Sequence, residues 1–399
     1  MLNKRLIASA IPMAFLAACG GNNDSSPAAA AHTVSPQLFA QSDDNSNAVL
    51  QFIRRADGSL GPVTSIPTGG KGTGGVAFAG GGAIAPDSLT SNSSVAVNAD
   101  RTRLFVVNAG DATVSVFSID PAGGKPTLLA TSSTGGLLPT SLAVSNNVLY
   151  VTHQRGANQL GAYRISMDGK LTQIGTYPTV QADALPTQVS VSPDGTFVLV
   201  DIRSQSNVVG GTPGRQLLTY RVNGDGSLAA PVVSPTVGSG PFGTFFGSGP
   251  LSRNAVSVEA ISNSVASYRL NDDGTLSAAS GPLTVPGQGA PCWLALTPDN
   301  KFAYVGNAAG FISSYAVGAN GELSLINGNA ASEPPVVTGS TSFAEDSWIS
   351  PDSKFLYQDF PGDDKVVAYS IGANGGLTKL NEQPAKAIGT ITLQGLAGT

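Results

Sequence analysis

The chain has 399 residues, 21 basic and 26 acidic, with a formal net charge of −5 and only 12% charged residues. No clustered basic surface is written in it, which excludes nucleic acid as a partner. Two histidines and two cysteines leave no cluster with metal-ligand spacing, so no metal and no cofactor is expected, while 49 glycines suit many tight turns and few surface helices.

At the N-terminus, Lys4 and Arg5 form a basic segment, Leu6 to Leu16 an apolar run too short to span a bilayer, and Leu16-Ala17-Ala18-Cys19 a small-residue cleavage site ending in cysteine. The tetrapeptide resembles a bacterial lipobox. It implies that residues 1–18 are a lipoprotein signal peptide and that the Cys19 thiol is acylated; the alternative is an ordinary secretory signal with a chance cysteine. One acyl chain holds only marginally, so stable anchoring takes two or more. Gly20 stands where inner-membrane retention would want Asp, which points to the outer membrane, periplasmic or surface-facing. Residues 19–36, mostly Gly, Asn, Ser, Pro and Ala, have no apolar periodicity and read as a flexible tether carrying His32. Removing the leader takes two bases and no acid, so the mature chain is more acidic still. With Cys19 acylated, Cys292 has no partner for an intrachain disulfide and is expected to be buried.

From residue 37 to 399 one pattern recurs seven times, a short alternating strand ending in an aromatic and a turn of the form x-x-x-G-x-L: VLQFIRRADGSL, VSVFSIDPAGGKPTLL, LGAYRISMDGKL, LLTYRVNGDGSL, VASYRLNDDGTL, ISSYAVGANGEL and VVAYSIGANGGL. The aromatics are Phe52, Phe117, Tyr163, Tyr220, Tyr268, Tyr315 and Tyr369. Recurrence at roughly 40–50 residues with short strands inside each unit is the signature of propeller blades. Each aromatic strand follows two others joined by a tight turn, as in TQVSVSPDGTFVLVD.

With strands labelled A to D from the axis outward, the A–B turns (NADRT, SPDGT, TPDNK, SPDSK) and the C–D turns are short. Strand alternation then puts the D–A and B–C loops on one face, and both long insertions, Gly69 to Gly82 and Arg203 to Gln216, fall there. Loops on a rigid scaffold carry function, so the long-loop face is the candidate site. The first unit lacks an A strand and the terminal GTITLQGLAG has no unit. The fold expected is therefore all-β, a seven-bladed β-propeller closed by N- and C-terminal strands sharing one blade, which leaves no open radial edge.

The B strands end at Ser42, Asn108, His153, Asp201, Glu259, Asn307 and Asp359. Asn and Asp there commonly cap the next turn. Glutamate is poor at that local bond and costly to bury unless it is paired or used, which singles out Glu259. His153 is the one histidine after the tether, with Arg155 two residues on. The A strands begin at Gln188, Phe242, Cys292 with Trp293, and Glu345 with Asp346; the two aromatics can equally be packing between blades. Asp43-Asp44 and Asp363-Asp364 read as solvated turn residues, calcium ligation being the alternative. No nucleophile elbow, phosphate-cradling glycine motif or CxxC occurs.

The SPDG turns, the YRVNGDGSL-type strands and the QGAPCWLALTPDNKFAYVGN segment resemble the lactonase family of seven-bladed propellers, which includes bacterial 6-phosphogluconolactonases and fungal carboxymuconate cyclases. The resemblance runs from about Gln37 to the C-terminus. It implies a site built from a histidine after proline on the fourth inner strand, an Arg-His pair after Gly-Pro on the fifth, and a glutamate ending the fifth B strand. Here Thr187 follows Pro186, Phe242-Gly243 follow Gly240-Pro241, and only Glu259 is kept. Lactone hydrolysis needs a base to activate water and a donor to stabilise the oxyanion. Glu259 is the candidate base, with Arg203, Arg253 or His153 as candidate donor and Gln188, Phe242, Trp293, Asp346 and Asp201 as candidate binding residues. A phosphorylated substrate would need an arginine where Phe242 stands. Two readings follow: an envelope lipoprotein that hydrolyses a lactone as a carboxylic ester hydrolase on a small lactone or sugar-like ligand, or a non-catalytic propeller that binds a ligand or protein through its long-loop face. Either is expected to be a monomer that meets the membrane through its lipid anchor alone.

Overall fold

The computed structural model describes residues 35–284, 289–336, 340–386 and 390–399. The segment expected to be a signal peptide, Cys19 and the expected tether up to residue 34 lie outside the described residues.

Seven four-stranded antiparallel sheets form the blades. In blade one the inner strand is Gln394–Gly398, followed outward by Gln37–Gln41, Ala48–Ile53 and Thr64–Pro67. Leu38 faces Gly398 and Phe39 faces Ala397 in that first pair, so both chain ends share one sheet and the ring closes as the unassigned last strand required. Blades two to seven follow in order over residues 95–133, 137–177, 185–235, 241–284, 291–332 and 347–384.

The repeat motif has two structural duties. Its aromatic sits on each C strand and is buried in every blade. In blades three, four, five and seven the phenol also reaches the connector that leads into its own blade: Tyr163 Oη donates to Thr134 O (2.5 Å), Tyr220 Oη to Pro178 O (3.1 Å) and Tyr369 Oη to Glu333 Oε1 (3.2 Å), and Tyr268 Oη accepts from Val237 N (2.9 Å). Its glycine adopts left-handed backbone, φ 85° at Gly58 and 79° at Gly375, and lies against the neighbouring blade. A Cβ on Gly58 would stand 2.2 Å from the Phe355 ring, so both conformation and space demand glycine. From the other side, Tyr357 Oη donates to Gly58 O and Tyr304 Oη to Gly375 O, tying successive blades.

Two boundaries differ from expectation. In blade four, Ser204 pairs with Pro213, so the strands run on and the B–C loop shrinks to residues 205–212. The glycine-rich insertion is only part of a longer connector, residues 68–94, which folds a small hairpin (Val76–Ala77 with Ala83–Ile84) and then turns inward.

Candidate functional site

Four inner strands carry the same irregularity. The register slips between Pro139 and Ser141, Pro186 and Gln188, Pro241 and Gly243, and Pro291 and Trp293. Each slip is a one-residue bulge directly after a proline, which cannot donate to the ladder. The bulged residues are Thr140, Thr187, Phe242 and Cys292, and their carbonyls all bond to one short segment at the end of the connector. Ser91 Oγ donates to Thr140 O (2.8 Å) and Asn92 N to Thr187 O (2.9 Å). Asn92 Nδ2 donates to both Phe242 O (3.2 Å) and Cys292 O (3.1 Å).

The same segment reaches the remaining blades. Trp293 Nε1 donates to Ser91 O (3.1 Å), Ser93 N to Asp346 Oδ1 (3.1 Å), Val107 N to Ser94 O (3.1 Å) and Ser88 Oγ to Asp43 Oδ2 (2.7 Å). Gln394 of blade one donates to Pro86 O, and Gln154 of blade three to Leu89 O. A segment bonded to inner strands all round the ring can only lie on its axis. Residues 86–94 are thus an axial pin at the long-loop end of the channel, with Leu89, Ser91 and Asn92 all buried. Thr90 and Ser93 take left-handed backbone there (φ 48° and 61°), the cost of threading a chain through so narrow a space.

Around the pin lie carboxylates removed from water. Burial first and neighbouring acids next raise Asp87 to about 7, Arg203 being the cation that opposes the shift. Burial raises Asp346 to about 7, and burial first, then the neighbouring acids Asp87 and Asp346, push Glu345 and Asp359 well above the ordinary range. Cys292 is buried as expected, and burial pushes its thiol up, so it is inert.

The candidate residues of blades four and five come together in one seam. Asp201 Oδ1 accepts from Thr244 Oγ1 (2.6 Å), which also bonds Ser257 Oγ (2.9 Å), and Gln188 Oε1 accepts from Thr244 N (2.7 Å). Burial, then the Glu259 charge, raises Asp201 to about 7. Glu259 accepts from Tyr268 Oη (2.5 Å) and Ser264 Oγ (3.0 Å), and its pKa is raised by burial against these bonds. A Cβ on Gly238 would stand 1.8 Å from Glu259 Oε2, so the connector between the blades lies directly over this carboxylate. His153 lies elsewhere, in the seam of blades two and three under Gly136, and burial lowers its pKa to about 4, leaving it neutral. Phe242 and Trp293 pack edge-on (5.4 Å between centroids), with Trp293 bonded to the pin. Arg203 donates to Val209 O (2.7 Å).

Several expectations need correction. Arg253 pairs with Asp194 (2.6 Å) at the short-turn end of blades four and five, a strand length away from Glu259, and so is no oxyanion donor for it. Asp43, Asp363 and Asp364 are buried rather than solvated. Asp43 accepts from Thr73 and Ser88, and Asp364 from Thr390 N (2.9 Å), because both pairs brace connectors. Asn108 supports the turn reading differently from expectation, accepting from Thr68 Oγ1 (2.7 Å) of the connector. No group of acidic, histidine or cysteine side chains among the described residues could hold a metal ion. The pin itself went unread, although the four X-Pro dipeptides at matching strand starts and the polar SLTSNSS run mark both halves of it.

A seven-bladed propeller with a pinned channel is the class this geometry defines. Residues 44–156 match the family model described as Lactonase, 7-bladed beta-propeller, and the resemblance to that family is shown. Among solved structures, the chain is similar to a candidate 6-phosphogluconolactonase of Bacteroides fragilis (18% identity, 93% of this chain and 100% of the other, TM-score 0.66). A periplasmic gluconolactonase of Pseudomonas aeruginosa is similar at 19% identity over 91% and 99% (TM-score 0.67), and a Lactobacillus plantarum protein at 18% over 92% and 99% (0.69). At such identities the likeness is one of fold. No curated protein matches the sequence. Among the described residues no helix is long and apolar enough to cross a membrane.

Proposed function

We propose that this chain is a lipid-anchored cell-envelope propeller that binds through its long-loop face without hydrolysing what it binds. The observation that supports this most is the pin: residues 86–94 occupy the channel mouth where the lactonase resemblance puts the reacting groups, and Glu259 is covered by the Gly238 connector and bonded to Tyr268 and Ser264. The face left for binding is a raised lobe. The hairpin at residues 76–84 meets the B–C loop of blade four where Val209 N donates to Ala79 O (2.8 Å), and Arg155 stacks on Phe78 (5.2 Å). Ile84 and Val208 are exposed on it, at 65% and 42%. Such apolar exposure on a polar surface suits recognition. Anchoring rests on Leu16-Ala17-Ala18-Cys19, and acyl labelling lost in Cys19→Ser tests it.

The second reading, a lactone hydrolase, is favoured by the family match and by the Glu259 carboxylate. In it Glu259 activates water, His153 or Arg203 steadies the oxyanion, and Gln188, Phe242, Trp293, Asp346 and Asp201 hold the substrate. A panel of aldono- and aliphatic lactones assayed against the purified chain separates the two. Binding without turnover is expected. Turnover that falls about 10²–10⁴-fold in Glu259→Gln would overturn the binding reading and assign the base.

A further inference from the structure

Blade one is the only blade whose A and B strands come from opposite ends of the chain, so it has no A–B turn. In its six neighbours that turn covers the short-turn end of the inner strands. Among the described residues the place over blade one is open, flanked by the A–B turns of blade two (Asp100 to Thr102) and blade seven (Ser350 to Asp352). A pocket of about 510 Å³ lies there, within the range of small-molecule sites. It is at the opposite end of the channel from the pin and shares no residue with the long-loop face.

Its chemistry is two-sided. Ile119, Pro121, Pro351 and Phe355 make an apolar wall, while Arg54, Arg55 and Arg101 bring three guanidinium groups to a chain in which acids outnumber bases. The two carboxylates on the rim are already satisfied. Asp100 accepts from Thr102 N and Oγ1, and Asp352 from Ser350 Oγ while pairing with Lys354 (3.5 Å). Arg54 is held by Thr399 O (2.7 Å) and by the Trp348 ring (4.7 Å), and Arg55 by Ser59 Oγ and Leu60 O. The Arg101 side chain, exposed at the tip of a turn that its backbone N closes onto Asn98 O (3.0 Å), has no ion pair or hydrogen bond among the described residues. An arginine with five donors and no partner, beside an apolar wall, is complementary to a carboxylate on an apolar body.

We propose that this pocket is a binding site for small amphiphilic carboxylates, created by the way the ring closes. The ligand's apolar portion lies on Ile119 and Phe355, and its carboxylate meets Arg101, with Arg55 beside it.

The test uses the full chain carrying Cys19→Ser, so that no attached acyl chain competes, titrated calorimetrically with decanoate and with decanol. Saturable decanoate binding, weaker decanol binding and a decanoate affinity about tenfold lower in Arg101→Gln, with decanol unchanged, are expected; one charge-assisted contact is worth at least that factor. Ala56→Trp, on an exposed lining position, is expected to block both probes, circular dichroism confirming its fold. The proposal is overturned if decanoate does not saturate, if decanol binds as tightly, or if Arg101→Gln weakens both probes equally. Binding that survives in folded Ala56→Trp places the ligand elsewhere and overturns it too.

Discussion

The two ends of the propeller axis are built on opposite plans. At the long-loop end a nine-residue stretch of connector fills the channel, bonds to bulged carbonyls of four successive blades and gathers buried carboxylates around it. At the short-turn end, over blade one, the absence of a single hairpin leaves an open pocket edged by arginines. One long insertion sealed a site that the fold would leave open, and one topological economy opened a site that the fold would seal. The two ends therefore differ through their connectors rather than through their blades.

The largest expected effect breaks the open end. Deleting residues 390–399 removes the inner strand of blade one, leaves Gln37–Gln41 with an unpaired edge and takes away the Gln394 bond to the pin. The truncated domain is expected not to fold cooperatively, read as loss of the thermal transition; a melting point within a few degrees of the intact chain would show that the closure contributes little.

At the sealed end, Asn92→Ala removes one amide that satisfies two bulged carbonyls. Leaving two buried carbonyls without this donor costs about 1–3 kcal/mol each, so a loss of about 2–6 kcal/mol is expected in denaturant unfolding. A change under about 0.5 kcal/mol would mean that the pin is an ornament of the channel rather than its hub. Asn92→Asp should be worse than alanine, because a carboxylate would face carbonyl oxygens.

The acids supply a pH signature. Asp87, Asp201 and Asp346 are each raised to about 7 and Asp43 to about 6, so the folded state binds protons more tightly than the unfolded state. Their protonated forms favour folding below the unfolded value near 3.8, and that contribution is lost as pH rises through 4 to 7. His153, lowered to about 4, works the other way, losing stability as pH falls from about 6.5 to 4. Four acids against one histidine set the expected result: a higher melting temperature at pH 5 than at pH 8. Asp201→Asn should shrink that difference, and a melting temperature rising from pH 5 to 8 would contradict the assignment.

A smaller effect sharpens the view of Glu259. Tyr268→Phe removes the phenol that bonds both Glu259 and Val237 N. About 1–3 kcal/mol of stability should be lost, since one partner is a carboxylate. Equal stability would show that Glu259 is not held by this bond and is available for other work.

The blade repeat and the ring closure are both legible in the sequence, the first from local pattern and the second from counting strands, although the pair that closes the ring joins Leu38 to Gly398. Alternation places an aromatic on each C strand, a left-handed glycine fixes each C–D turn, and strand parity alone sorts the loops onto two faces. A spare terminal strand beside a unit lacking one leaves a single economical closure. The seam of Gln188, Asp201 and Glu259 was legible as a set of strand ends, but a strand end does not say where its side chain points or what covers it. The pin was decided only in three dimensions. Asn92 stands 150 residues from Phe242 and 200 from Cys292, and no sequence period links an asparagine to the carbonyl of a distant bulge. The same holds for the arginine pocket, whose wall comes from three blades that meet only because the first and last strands pair. Local pattern set the repeating unit, whereas the sealed and the open end arose from long-range contacts that exist only once the ring has closed.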